Sequence, residues 1–204
     1  MTFGEIKTKI AGIINRSDLT SDIPFWVNTA LRRIEQNNDF YYMESFDESL
    51  SIVDGTRTVA QPSDYKNFIW WYLVVNNAKA FLTYRTMDEI ELLETDLDPD
   101  GQVPGFFAQQ AKNFVLAPTS NDSFVNKLFY RAFSPVLSDD ADTNEITNIA
   151  PEILIYGAMV EGILFLKDNP DFPLWEGKYT QALGQFRSVG NTRRWGFNPT
   201  MHRA

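Results

Sequence analysis

Apolar residues at helical spacing near both ends of the chain, with β-branched and aromatic runs between them, predict an α+β fold. Helices over residues 3–15, 22–38, 151–168 and 172–189 are expected to close into one bundle carrying a β-rich central insertion at 46–135. A third observation concerns charge. From Gly177 onward the chain has Lys178, Arg187, Arg193, Arg194 and Arg203 and no Asp or Glu, although the formal net charge of all 204 residues is −9. Without those five cations residues 1–176 stand at −14, so an acidic single domain over 1–188 ends in a basic, extended arm at 189–204.

Each element has a local reason. Thr2-Phe3-Gly4-Glu5 has the spacing of a capping box, in which the Thr hydroxyl and the Glu carboxylate satisfy free amides at a helix start. Phe3, Ile6, Ile10, Ile13 and Ile14 then share one side, until Asn15-Arg16-Ser17-Asp18 ends the pattern. A second helix opens near Asp22 to Pro24, where a first turn tolerates proline, with Val27, Ala30, Leu31 and Ile34 as its stripe.

The period then changes. Leu50 and Ile52, followed by Thr58 and Val59, read as two short strands joined by a tight Asp54-Gly55 turn. Residues 69–75 and 80–84, linked through Asn76-Asn77, are rich in β-branched and aromatic side chains and read as strands. A second capping box, Thr86-Met87-Asp88-Glu89, predicts a short helix to about Thr95, and residues 113–117 and 126–133 read as a further strand pair.

Pro151 fits a helix first turn, and the run Ile153 to Leu166 is apolar on nearly all sides, as a central helix requires, with Gly157 and Gly162 permitting close approach. The last helix puts Trp175, Tyr179, Ala182, Leu183, Phe186 and Val189 on one stripe, and Gly190 is its expected stop.

Composition narrows the function classes. At 44% hydrophobic and 14% aromatic the chain has ample material for a core. It has no cysteine, which excludes disulfides, thiolate metal sites and a thiol nucleophile. Met1 to Glu5 lacks a basic region followed by an apolar run, so no signal peptide is expected and folding in the cytosol is. The run 153–166 is shorter than the roughly 20 residues a bilayer demands and contains Glu161, so no membrane partner is expected. The acidic body opposes generic binding to phosphate backbones, while a negative wall would let DNA slide past without gripping it.

No catalytic, cofactor or metal residue is assigned. Asp96-Leu97-Asp98-Pro99-Asp100-Gly101 begins like a calcium loop, but its twelfth position is Phe107 instead of a bidentate Glu. Asp139-Asp140-Ala141-Asp142 lacks the required glycine and reads as a turn leading into a helix. His202, the only histidine, stands near the end of the arm without an orienting partner. The 11 glycines form neither GxGxxG nor a phosphate-binding loop with lysine. Glu161, alone in an apolar helix, would need burial to act as a general acid; an ion pair with Arg32 or Arg33, or an oligomer contact, is the expected role. Trp70, Trp71 and Tyr72 are expected in a core or a subunit interface, with stacking on bases or sugars as the alternative. The assigned sites are interface residues: Arg193, Arg194 and Arg203 for steering, Trp195 and Phe197 as anchors once water is displaced. A disordered tail is the competing reading of that stretch.

The order of motifs resembles the head-to-tail adaptor, or connector, proteins of tailed bacteriophages. Carrying the resemblance are Phe3-Gly-Glu-Ile, Asp22-Ile-Pro-Phe-Trp-Val, Ala30-Leu-Arg-Arg-Ile and Gln61-Pro62-Ser63-Asp64-Tyr65, where Gln61 replaces the family's usual leucine. Phe114-Val-Leu-Ala-Pro118, Phe129-Tyr-Arg, residues 135–144, Pro151-Glu-Ile-Leu-Ile-Tyr-Gly-Ala and Trp175-Glu-Gly-Lys-Tyr complete it. The resemblance implies a non-enzymatic virion protein at the head-tail junction, assembled in the host cytoplasm as a homo-oligomeric, dodecameric ring. Its implied partners are the portal protein above and the tail nozzle or other tail proteins below, with genomic DNA passing through unbound and no cofactor. A phage cell-wall glycosidase using a carboxylate pair, and a sugar- or nucleic-acid-binding module built on the Trp70–Tyr72 strand, are the alternatives.

Overall fold

The computed structural model of the chain describes residues 1–96, 103–163 and 172–195, and only the backbone of 94–96 and 189–195. It is α+β, as expected, and divides into two compact units, Met1–Met43 with Phe133–Ala204, and Glu44–Ala132.

In the first unit α1 (Phe3–Ile14) starts on the foreseen capping box: the Thr2 hydroxyl accepts from the Glu5 amide at 3.3 Å and the Glu5 carboxylate from the Thr2 amide at 2.9 Å. It stops at Asn15, whose φ of 50° turns the chain left-handed. Helix α2 (Ile23–Gln36) has Pro24 in its first turn and buries Trp26, Val27, Ala30, Leu31 and Ile34. Next come α4 (Glu145–Ile149) and α5 (Pro151–Ile163), the latter buried over most of its circumference, and then α6 (Phe172–Trp195). Helix α3 (Met87–Asp96) belongs to the second unit. The core joins Phe3, Ile6 and Ile10 of α1 to the α2 stripe, to Ile153, Leu154 and Ala158 of α5, and to Ala182, Leu183 and Phe186 of α6. The two glycines of α5 act as expected. A Cβ on Gly157 would lie 3.0 Å from Ala30 Cβ, and one on Gly162 would lie 2.8 Å from the Trp26 ring.

The acidic turn at 139–142 also has a structural job. The Asp142 carboxylate accepts from the amides of Ser138 (2.7 Å) and Asp139 (2.9 Å), and the carbonyls of Asp142 and Asp140 accept from Phe3 and Gly4, free amides of the α1 start. Those backbone bonds hold the Asp142 carboxyl below the ordinary carboxylate range.

The second unit is a two-sheet sandwich. Strands β1 (Glu44–Asp47), β8 (Asn126–Ala132), β3 (Tyr65–Val75) and β4 (Ala78–Phe81) form one antiparallel sheet in the order β1-β8-β3-β4. The other, β2-β7-β6-β5, contains β2 (Thr58–Ala60), β7 (Asn113–Ala117), β6 (Phe106–Gln110) and β5 (Thr83–Tyr84), the last pair parallel. Trp71, Leu73, Leu128 and Tyr130 of the first sheet meet Val59, Phe107, Phe114 and Leu116 of the second. Buried Asn126 accepts from Trp71 Nε1 at 3.1 Å and donates to the Leu50 carbonyl at 2.7 Å, so the indole has its partner inside the core. The Pro62-Ser63-Asp64-Tyr65 step is a turn that launches β3: the Tyr65 amide donates to Pro62 and Asp64 accepts from the Tyr130 hydroxyl at 3.0 Å. Burial first, then that bond, pushes the Tyr130 phenol up to about 12. Helix α3 (Met87–Asp96) covers the outer face of the second sheet with Met87, Ile90 and Leu93 over Ala108, Val115 and Ala117.

Four expectations need correction. Asp54-Gly55 does form a turn, with Gly55 at φ 76°, but no hairpin of two paired strands surrounds it. Ile52 instead accepts from Phe124 and Gly55 donates to Ser120, because the neighbouring loop supplies partners that a second strand would have offered. Residues 113–117 and 126–132 are strands but lie in different sheets, β7 beside β2 and β6, β8 between β1 and β3. Residues 106–110 form β6 where no strand was expected: Phe107, the twelfth position of the calcium-like pattern, is fully buried in the sandwich. Helix α6 does not stop at Gly190 but continues to Trp195, so the first part of the arm is helical. One glycine costs a helix only about 1 kcal/mol, and no proline follows before Pro199.

Candidate interaction surfaces

Arg193, Arg194 and Trp195 fall on the final turns of the α6 backbone; their side chains, with Phe197 and Arg203, lie outside the described residues. What can be followed is where α6 is anchored, through buried Ala182, Leu183 and Phe186, with Phe40 edge-on to Phe186 at 4.9 Å. Beyond those anchors the sequence is basic without an acid. Lys178 lies 4.7 Å from the Trp175 ring, which supports its charge on an aromatic face.

The residues from Trp70 to Tyr72 divide between the two faces of β3, as strand alternation requires. Trp71 enters the core. Trp70 and Tyr72 point the other way and stack on each other at 5.5 Å; Trp70 also stacks on Phe129 at 4.9 Å, and Phe81 stands edge-on to Tyr72 at 5.7 Å. With Phe46 opposite Phe129 in register, an aromatic ridge crosses all four strands of the β1-β8-β3-β4 sheet. Phe46 is 56% and Phe81 60% exposed. Cations border it: Lys127 lies 3.8 Å from the Phe46 ring and Lys79 4.7 Å from the Tyr72 ring. The sequence pointed to the Trp70–Tyr72 strand but not to Phe46, Phe81 or Phe129, which join it only through strand pairing.

Two carboxylates deserve comparison. Glu161, the candidate for acid chemistry, pairs with Arg33 at 2.8 Å, as the ion-pair reading expected, and Arg33 in turn lies 5.1 Å from the Tyr179 ring. The buried acid that pattern reading missed is Glu35, which is fully enclosed. Its carboxylate accepts from the Ser134 hydroxyl at 2.5 Å, the Ser134 amide at 3.1 Å and the Tyr42 hydroxyl at 3.4 Å, with Arg32 at 4.0 Å. Burial and then the Glu35 charge push the Tyr42 phenol far above its ordinary range. Ser134, Tyr42 and Arg32 thus satisfy this carboxylate from within the first unit. Among the described residues no three His, Cys, Asp or Glu side chains form a group that could hold a metal, and no helix is long and apolar enough to cross a membrane.

An aromatic sheet face, a C-terminal helix whose sequence is basic beyond Glu176, and the acids Glu35 and Glu161 bonded within the chain are features an assembling, scaffolding protein would use. The model of the SU10 adaptor protein family matches residues 1–203, and the chain belongs to that family of phage head-tail adaptors. No curated protein matches the chain.

Proposed function

We propose that the chain is a structural connector that forms a homo-oligomeric, dodecameric ring between portal and tail, extending the channel through which genomic DNA leaves the head. Its body, residues 1–188, builds the ring, and residues 189–204 dock as an arm through Arg193, Arg194, Trp195, Phe197 and Arg203. It acts in the virion at the head-tail junction, after assembly in the host cytoplasm, without catalysis or cofactor, and leaves DNA unbound. Portal and tail nozzle, or other tail proteins, are its partners. Membership in an adaptor family supports this reading, and so does the observation that carries it: a body of charge −14 up to Glu176 followed by five cations and no acid.

Purified protein mixed with its portal should give rings on the portal in electron micrographs. A chain ending at Ser188 keeps Ala182, Leu183 and Phe186, so it should fold yet fail to assemble at moderate salt. No ring from the full chain would sink the connector reading; normal docking of the shortened chain would sink the role of the arm alone.

A further inference from the structure

We infer that the aromatic outer face of the β1-β8-β3-β4 sheet receives α3 of a second copy of this chain, so that the β units join face to opposite face around the ring. The inference rests on the ring reading above and adds which surfaces make it.

The face is contiguous: Phe46 and Phe81 are exposed at its edges with half-buried Phe129, Trp70 and Tyr72 stacked between them, and an aromatic surface of this kind marks an interface. Its charges are Lys79, Lys127 and Arg131, partly balanced by Glu48, 2.7 Å from Lys127, and by Glu44, opposite Arg131 in register. That is a small positive surplus.

The far side of the same sandwich is its complement. Helix α3 buries Ile90 toward its own sheet and turns Leu92, 66% exposed, toward solvent beside exposed Asp88, Glu89 and Glu91. Its sequence has five acids and no cation. Arg57 lies 2.8 Å from Glu91 and Arg85 3.9 Å from Glu89, which still leaves α3 a negative surplus, with Asp88 beside Leu92, to fit the Lys79 side of a ridge whose own surplus is positive. The two faces are separated by two layer spacings, about 20 Å, and cannot meet within one copy. Between copies they can, and a contact joining unlike faces closes into a ring when its rotation closes.

Other occupants fit less well. Pairing of the ridge with itself would set two surfaces of the same small positive surplus against each other. A nucleic-acid strand could stack on Trp70 and Tyr72, but it gains affinity from several unpaired cations, and Lys127 is already engaged by Glu48.

The test is a charge exchange read by micrographs of full-length protein on its portal. Lys79→Glu and Asp88→Lys should each lower the ring fraction by about tenfold, and the double variant, in which the reversed faces meet, should return to within about twofold. Recovery in the double variant also shows that neither single change acted by unfolding. Because the chain has no cysteine, Phe81→Cys and Leu92→Cys proteins mixed and oxidised should give a dimer of the two different variants, since a disulfide demands Cα atoms within about 7 Å. Intact rings in both single charge variants overturn the inference and leave the ring reading standing. A Phe81→Cys homodimer, or tryptophan fluorescence quenched by oligonucleotide at physiological salt, also overturns it, in favour of self-pairing or DNA. Absence of rings from the unmodified protein removes the ring reading itself.

Discussion

Glu35 shows how much a single buried charge can organise. A carboxylate removed from water is tolerated only if its oxygens are fully bonded, and Ser134, Tyr42 and Arg32 supply that bonding from α2, the 3₁₀ turn at Tyr41–Met43 and the segment after β8. Glu35→Ala removes the acceptor of the part-buried Ser134 amide and Tyr42 hydroxyl and leaves a cavity where a fully buried side chain stood, and a loss of about 2–4 kcal/mol in urea melts is expected. An unchanged midpoint would mean that water already serves those groups. Asp142 offers a test by pH. Its folded carboxyl titrates below the unfolded value of about 3.9, so its bonds stabilise fully above that pH and are lost as acid carries the solution through the lower folded value. Asp142→Ala should therefore destabilise the protein at pH 6 and flatten its stability profile below about pH 4, whereas parallel profiles in the two proteins would exclude this linkage.

At the scale of elements, close approach of α5 to α2 depends on Gly162. The Trp26 ring occupies the space a Cβ would need, at 2.8 Å, and Trp26 is itself fully buried and cannot swing out. Gly162→Ala should cost about 1–3 kcal/mol as overpacking, against a small gain from helix propensity, and calorimetry should show a lower Tm. Gly184→Ala is the control, because no atom stands within 4 Å of the Cβ it would add. Gly157 and Gly162 were legible in the sequence for a physical reason: α5 is apolar all round, so only small residues can mark its contacts. The caps at Thr2 and Thr86 were legible because their bonds span three residues. Strand partners were less so: β7 meets its neighbour β6 in a local hairpin, but its pairing with β2 and both pairings of β8 join residues more than 50 positions apart. The aromatic ridge was not, since it needs Phe46, Phe129 and Trp70 side by side across three strands.

For the whole molecule, the distribution of charge matters more than its total. The unit Glu44–Ala132 carries net −6 and the remainder −3, and within that remainder every charge after Glu176 is positive. Exposed charges act over a Debye length of about 10 Å at 0.1 M salt and about 3 Å at 1 M, so an arm of this kind speeds encounter with an acidic receptor and does so less as salt rises. The two residue types in the arm should therefore separate kinetically. With Arg193→Gln and Arg194→Gln together, the association rate constant for portal should fall about 3- to 10-fold at low salt and converge on the unmodified value at high salt, with dissociation little altered. Trp195→Ala should do the reverse, since an anchor acts after contact: association nearly unchanged, dissociation faster by about tenfold or more. Surface-immobilised portal with flowing adaptor at several salt concentrations reads both constants. A double arginine variant whose association rate matches the unmodified protein at low salt would show that charge on α6 has no part in finding the receptor.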